Sequence, residues 1–341
     1  MKNDRDECIV IMRGFAIFSV ICAHVASIPS DAHTNVALIC KFFSYIGIMG
    51  VPIFFFLSGM LYNKKKCIKD FWYSKIRMIV VPWFFCETII WLYVVLRKGG
   101  VSVSNWIKFI LGYNHSTYYL SILIILFVLF WKIRFYKFGI FLSLLISVVA
   151  LEAYVWNILE LSFLWKWQIN PYLNPLFWML YFALGLLVSK FNIWSKIKTW
   201  SQKIVYLCGG LIVGVFFIQI YFECEFSYWS KFSIFSALLG IVFAIGLEKV
   251  VNAFKINIFF SKMGELSFQI FLLHELFAGA VAKITSYEGL QWLVIARPLL
   301  VLFFSMFLIC FVLHIFRKKN KMYDITKLLL GVREYSIRGT R

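Results

Sequence analysis

The sequence predicts an all-α, polytopic integral membrane protein of about ten transmembrane helices, with the N- and C-termini cytoplasmic. Three observations carry that prediction. First, 62% of the 341 residues are hydrophobic and only 15% are charged. The mean hydropathy is +0.83, a balance that soluble domains of this length do not have. Second, the apolar residues fall into ten separate runs, most of them long enough to cross a hydrocarbon core of about 30 Å as a helix. Third, the cations follow the alternation of the loops. With the N-terminus inside, 26 of the 35 Lys and Arg residues fall on the inner side, which is the bias that cytoplasmic loops carry. Topology therefore accounts for the net charge of +19, and no segment resembles a nucleic-acid-binding module.

The spans run over 8–28, 38–61, 79–96, 117–131, 136–156, 172–189, 204–222, 232–248, 263–282 and 292–316. The first is almost wholly apolar from Arg13 to His24. No small-residue cleavage site follows it, so it reads as a retained span and not a signal peptide. The second carries Gly50-Val51-Pro52 and ends in Ser58-Gly59, residues that permit a kink and a tight helix crossing. The third follows the densest cationic loop, with Lys64, Lys65, Lys66, Lys69, Lys75 and Arg77, and holds Pro82 and Glu87. The fourth is short. The fifth to the eighth are apolar runs whose inner flanks, 132–137, 190–203 and 249–262, are all basic. The ninth runs from Gly264-Glu265 to His274-Glu275, and the tenth stops at Arg317. Removing or adding one span would place basic loops outside, so the count is even. The spans form one domain over 1–316. A basic tail follows over 317–341, whose Ile325, Leu328, Leu329 and Leu330 suit either a topology anchor or a segment lying on the inner leaflet.

The eight cysteines include no Cys-x-x-Cys pair and read as small buried residues, neither a metal site nor a disulfide framework. A phosphate-cradling glycine loop and a serine-hydrolase elbow are both missing from the sequence.

The informative residues are the ionisable ones inside the spans, where a charge is costly and marks a functional candidate. His24 lies eleven residues beyond Arg13, about 16 Å along a helix, near or past the midplane. His274 lies ten residues beyond Gly264, about 15 Å, which puts it in the same layer. Two imidazoles at matched depth, from distant parts of the chain, favour a shared site. Glu87 sits some 10–12 Å deep in span three. Glu275 follows His274, but successive helix residues point about 100° apart, so it need not share that face.

Taken together these stretches resemble the membrane acyltransferase-3 family, which includes O-acetyltransferases acting on bacterial polysaccharide and O-antigen sugars. The similarity lies in Arg13-Gly14 with His24, in Val51-Pro52 through Ser58-Gly59, and in the basic run into Val81-Pro82. It continues in Tyr181-Phe182-Ala183-Leu184-Gly185 and in Gly264 through Ser267 to His274. Three positions depart from the family pattern: Val10 stands where an aspartate is common, Met78 where an arginine is common, and Tyr118-Tyr119-Leu120 where Trp-Phe-Leu is usual.

The resemblance implies transfer of an acyl group from cytoplasmic acyl-CoA, usually acetyl-CoA, to a hydroxyl of a surface polysaccharide or lipid-linked sugar at the bacterial cytoplasmic (inner) membrane. It implies His24 as the essential span-one histidine, Arg13 as its partner arginine and His274 as the span-nine histidine. On this reading His24 is a general base. His274 or Glu87 orients it or the acceptor. Arg13, Lys75 and Arg77 hold the CoA phosphates, and no metal takes part. Ten spans and intramembrane histidines fit a sugar or polysaccharide transporter or flippase as well.

Overall fold

The computed structural model describes residues 6–29, 33–62, 67–113, 116–156, 170–200, 202–287, 290–317 and 320–332. Lys64, Lys65 and Lys66 of the basic loop lie outside the described residues. Among the described residues every regular element is helical. Eight helices are long and apolar enough to cross a membrane. Two shorter apolar helices, Tyr118–Ile133 and Pro175–Lys190, fall on the fourth and sixth spans expected from the sequence. This is a multi-pass, all-helical membrane protein. The contacts gather in two compact units.

The first unit comprises Met1–Met12, Ile48–Lys64 and Leu111–Asn257. It takes the start of α1 (Glu7–His24) and the second half of α2 (Thr34–Tyr62). To these it adds α6 (Tyr118–Ile133), α7 (Lys137–Val155), α8 (Pro175–Lys190), α9 (Trp194–Ile197), α10 (Gln202–Tyr221) and α11 (Ser233–Ala253). The tight crossing expected at Gly59 is between α2 and α8. A Cβ on Gly59 would collide with the Phe182 carbonyl, and one on Gly185 with the Phe56 carbonyl, so each glycine seats the other helix's backbone. With no water to drive association inside a bilayer, such close backbone packing is a main source of helix–helix affinity. Asn174 starts α8 by accepting from Leu176 N–H at 3.1 Å, with Pro175 as the first helical residue. Arg134 is 5% exposed. Its guanidinium lies over the rings of Trp131 at 4.2 Å and Tyr62 at 4.9 Å. On α9's side, Asp6 accepts from Trp194 Nε1 at 2.6 Å and pairs with Lys198 at 3.0 Å. Burial pulls the Lys198 pKa down, but the hydrogen bond and charge of Asp6, with Glu248 beyond, outweigh it and leave the value raised.

The second unit comprises Arg13–Gly47, Lys65–Ile110 and Ile258–Arg341. It takes the rest of α1, the first half of α2, α3 (Ile68–Lys75), α4 (Val81–Lys98) and α5 (Val103–Ile110). It also contains α12 (Asn257–Glu265), α13 (Ser267–Ile284), α14 (Arg297–Phe316) and α15 (Asn320–Leu330).

Here three expected boundaries change. The third span begins at Ile68, not Ile79, because α3 runs into α4 through a single π-turn, Ile76–Val80. Val81 N–H bonds to Ile76 O, five residues back. Pro82 has no N–H to offer the next carbonyl, and the helix widens there instead of breaking. The ninth span is two helices, with α12 ending at Glu265 and α13 starting at Ser267.

The segment read as a basic tail is, over 320–330, the helix α15. It ends at Gly331, whose φ is +66°. Val332 N–H returns to Lys327 O at 2.8 Å and Gly331 N–H to Leu328 O at 3.1 Å, the Schellman pattern that needs a left-handed residue at this position. Gln269 of α13 donates to Gly331 O at 2.7 Å, and Pro82 of α4 abuts Gly331. The end of the described chain is thus pinned to two spans.

Candidate active site

All six residues singled out in the sequence, Arg13, Lys75, Arg77, Glu87, His24 and His274, belong to the second unit. α1 and the α12–α13 pair run side by side and in the same direction. A Cβ on Gly14 would meet Phe260 O at 2.7 Å and Gly264 N at 3.4 Å. Ten residues further along each side of this pair, the rings of His24 and His274 meet with centroids 4.9 Å apart, inclined at 68°. The equal offsets from Gly14 and Gly264 are why the matched-depth expectation brings the imidazoles together.

The two histidines are not equivalent. His274 lies inside α13 and is 0% exposed. Its Nδ1 is 2.7 Å from Phe271 O. A carbonyl only accepts, so Nδ1 carries a proton in this contact. His24 is the last residue of α1, and 33% of its side chain is exposed. Its Nδ1 stands 3.7 Å from Glu275 Oε1. Glu275, left aside in the sequence, therefore joins the site. His24 sits at a helix end and spans the directions of two consecutive α13 residues, touching the ring of one and facing the carboxylate of the other. The adjacency of Glu275 to His274 was the available signal.

Packing around the pair explains its position. A Cβ on Gly47 of α2 would come within 2.9 Å of Ala23 N, so α2 lies hard against α1 one residue before His24. After His24 the helix stops: Val25 N–H still bonds back to Ile21 O at 3.1 Å, and Pro29 four residues on does not favour further helix.

The other candidates lie elsewhere in the unit. Arg13 is eleven residues before His24 on α1, about 16 Å away along the axis. Its neighbour Gly14 meets Gly264, while Phe268, four residues after Gly264, and Pro82 both abut Gly331. That series of contacts sets Arg13 and the cations just before Pro82 toward the same end of the unit. Lys75 closes α3 with Nζ 5.3 Å over the Phe71 ring centroid, and Arg77 is exposed on the π-turn. Cations of this kind, Lys75 half-buried and Arg77 exposed, suit phosphate contacts. Glu87 is 1% exposed on α4; its burial, rather than any placement against the imidazoles, is what the structure establishes.

The donor atoms of His24, His274 and Glu275 all lie within 4.8 Å of one another. Nitrogen and oxygen ligands of a zinc ion, each about 2.1 Å from it, stand about 3.4 Å apart. The trio as placed is looser than that, so either coordination or direct proton transfer requires the three side chains to draw closer.

Searches among functionally described proteins and among solved structures found no match. A family model described as an acyltransferase domain does match, over residues 6–315. That stretch holds the paired histidines, Glu275 and the three cations. The chain belongs to the acyltransferase-3 family of membrane acyltransferases.

Proposed function

We propose that this acyltransferase is an O-acyltransferase: it moves an acyl group, acetyl from acetyl-CoA, to a hydroxyl of a surface polysaccharide or lipid-linked sugar, with His24 as general base. The proposal includes ten spans, both termini cytoplasmic, and residence in the bacterial cytoplasmic membrane. The observation that carries it is the asymmetric group of a part-exposed His24, a buried His274 and a carboxylate, Glu275, facing the His24 Nδ1.

With Nδ1–H turned to Glu275, His24 keeps Nε2 as the basic nitrogen. It takes the acceptor's hydroxyl proton as that oxygen attacks the thioester carbonyl. The tetrahedral adduct collapses, the C–S bond breaks, and the proton held by His24 passes to the departing CoA sulfur. The carboxylate orients the ring and favours the imidazolium that forms transiently. His274, with its Nδ1–H fixed on Phe271 O, buttresses the His24 ring. Arg13, Lys75 and Arg77 hold the CoA phosphates toward the other end of the unit, and the pantetheine arm reaches along α1 toward His24.

The direct test is transfer of labelled acetyl from acetyl-CoA by the purified protein to a polysaccharide or lipid-linked glycan. Substrate movement across vesicles without CoA binding would replace this reading with transport. Two variants separate the parts. Glu275→Gln is expected to lower kcat by about tenfold or more, since an orienting carboxylate is lost while the base remains. A kcat within twofold of wild type removes Glu275 from the mechanism. Arg77→Gln combined with Lys75→Gln is expected to raise the KM for acetyl-CoA by about tenfold or more with little change in kcat. The loss of even one charge-assisted contact, at about 1.5–3 kcal/mol, is enough to account for that factor. An unchanged KM would remove both residues from the donor site.

A further inference from the structure

Arg297, the first residue of α14, is 0% exposed and heads one of the chain's most apolar helices. A guanidinium there is costly unless its donors are met and its charge is compensated. Both conditions are satisfied by two helix ends. Nη1 donates to Val25 O at 3.0 Å and to Ser27 O at 2.6 Å, just past the end of α1. Nε donates to Thr285 Oγ1 at 2.6 Å, and Nη2 reaches Ala282 O and Ser286 Oγ, each at 3.4 Å, at the end of α13. Thr285 Oγ1 in turn donates to Val281 O at 2.8 Å, which leaves its lone pair for Arg297. The last carbonyls of a helix lack intrahelical partners and carry about half a negative charge. Two such ends together offset about one positive charge.

These are the ends of the two helices that carry His24 and the His274–Glu275 pair. Val25 is the next residue after His24, and Ala282 lies seven residues beyond Glu275. His274 lies in mid-helix and is held by its own turn. His24 lies at a helix end, where fraying is easiest, and the carbonyls just beyond it are held by Arg297. We propose that Arg297 is a positioning residue for the reacting histidine: a buried clasp that keeps the end of α1 in register with α13, so that the His24 ring stays against His274 and Glu275. The inference rests on the reading of His24 as the general base, but the clasp itself is measurable without any reaction.

The test uses Arg297→Met and Arg297→Lys in the full-length protein, with Thr285→Val as a milder change should Arg297→Met fail to fold. Hydrogen exchange of the peptide covering 21–28 should rise about tenfold or more in Arg297→Met, because local opening of a helix end sets that rate. Arg297→Lys should lie in between, since an ammonium satisfies some carbonyls but not the fork. The peptide covering 267–273 should keep its wild-type rate. In the same variants kcat should fall about tenfold or more while the KM for acetyl-CoA changes less than twofold, because the phosphate-binding cations lie away from the clasp. Unchanged exchange over 21–28, or a rise shared equally by all spans, overturns the clasp whatever the kinetics. Selective exchange at 21–28 in a protein whose wild type transfers no acyl group keeps the clasp and removes the catalytic reading.

Discussion

His24→Ala is expected to lower acyl transfer by about 10²- to 10⁴-fold at saturating acetyl-CoA, the range a positioned general base contributes. That is about 3–5 kcal/mol of transition-state stabilisation. The KM for acetyl-CoA should stay within a few-fold, because Arg13 lies eleven residues along α1 from the lost ring and the other cations proposed to hold the CoA phosphates lie before Pro82. Protein abundance and the elution profile in detergent should match wild type: a third of the His24 side chain is exposed, so its removal leaves no large buried cavity. His274→Ala makes the contrast, because that side chain is wholly enclosed and its loss carries a packing cost as well. Transfer by His24→Ala at the wild-type rate, with normal abundance, would end the general-base assignment.

The largest structural effect should come from Gly185→Leu. A side chain at this position runs into Phe56 O and, at 2.7 Å, Met60 N, both backbone atoms of α2. Backbone of a long helix cannot move aside as a flexible side chain can, and the facing Gly59 is equally committed to Phe182. Relief requires the two helices to separate, which strips the contacts of Tyr62 with Phe127 and Phe182 as well. The cost should exceed the ~1–3 kcal/mol typical of overpacked cores, because backbone and not side chain must move. The expected readout is a drop of about tenfold or more in monodisperse protein recovered from membranes. Gly210→Leu on α10 is the matched control, because a Cβ there meets nothing within 4 Å. Equal recovery of both variants would mean that the α2–α8 crossing is not tight.

Much of the helical layout was readable because each apolar run nearly fills the length a crossing needs. The run over 204–222 becomes Gln202–Tyr221 and the run over 136–156 becomes Lys137–Val155. The pairing of His24 with His274 was readable for a similar reason: rise per residue is constant, so equal offsets from Gly14 and Gly264 mean equal depth. What hydropathy does not contain is azimuth and long-range partnership. Glu275 was set aside by a rule about neighbouring residues on one helix, which says nothing of a partner placed between them. The sequence does not single out Arg297; that carbonyls from residues 25 and 27 enclose it depends on packing between segments some 270 residues apart. The helical start of the basic loop and the docking of α15 were hidden for another reason. Cationic segments read as solvated, while the groups that anchor them, Pro82 for the π-turn and Gln269 for Gly331, lie in the spans.

The distance in sequence between His24 and His274 has a consequence for biosynthesis. His24 is made 250 residues before His274, and at about 5–20 residues per second it waits roughly 12 to 50 seconds for its counterpart. Throughout that interval α1 exists without the helix whose imidazole meets its last residue. On the proposed assignment, a chain ended anywhere between the two histidines carries the base without the groups that face it, so competence arrives only once α13 has been made.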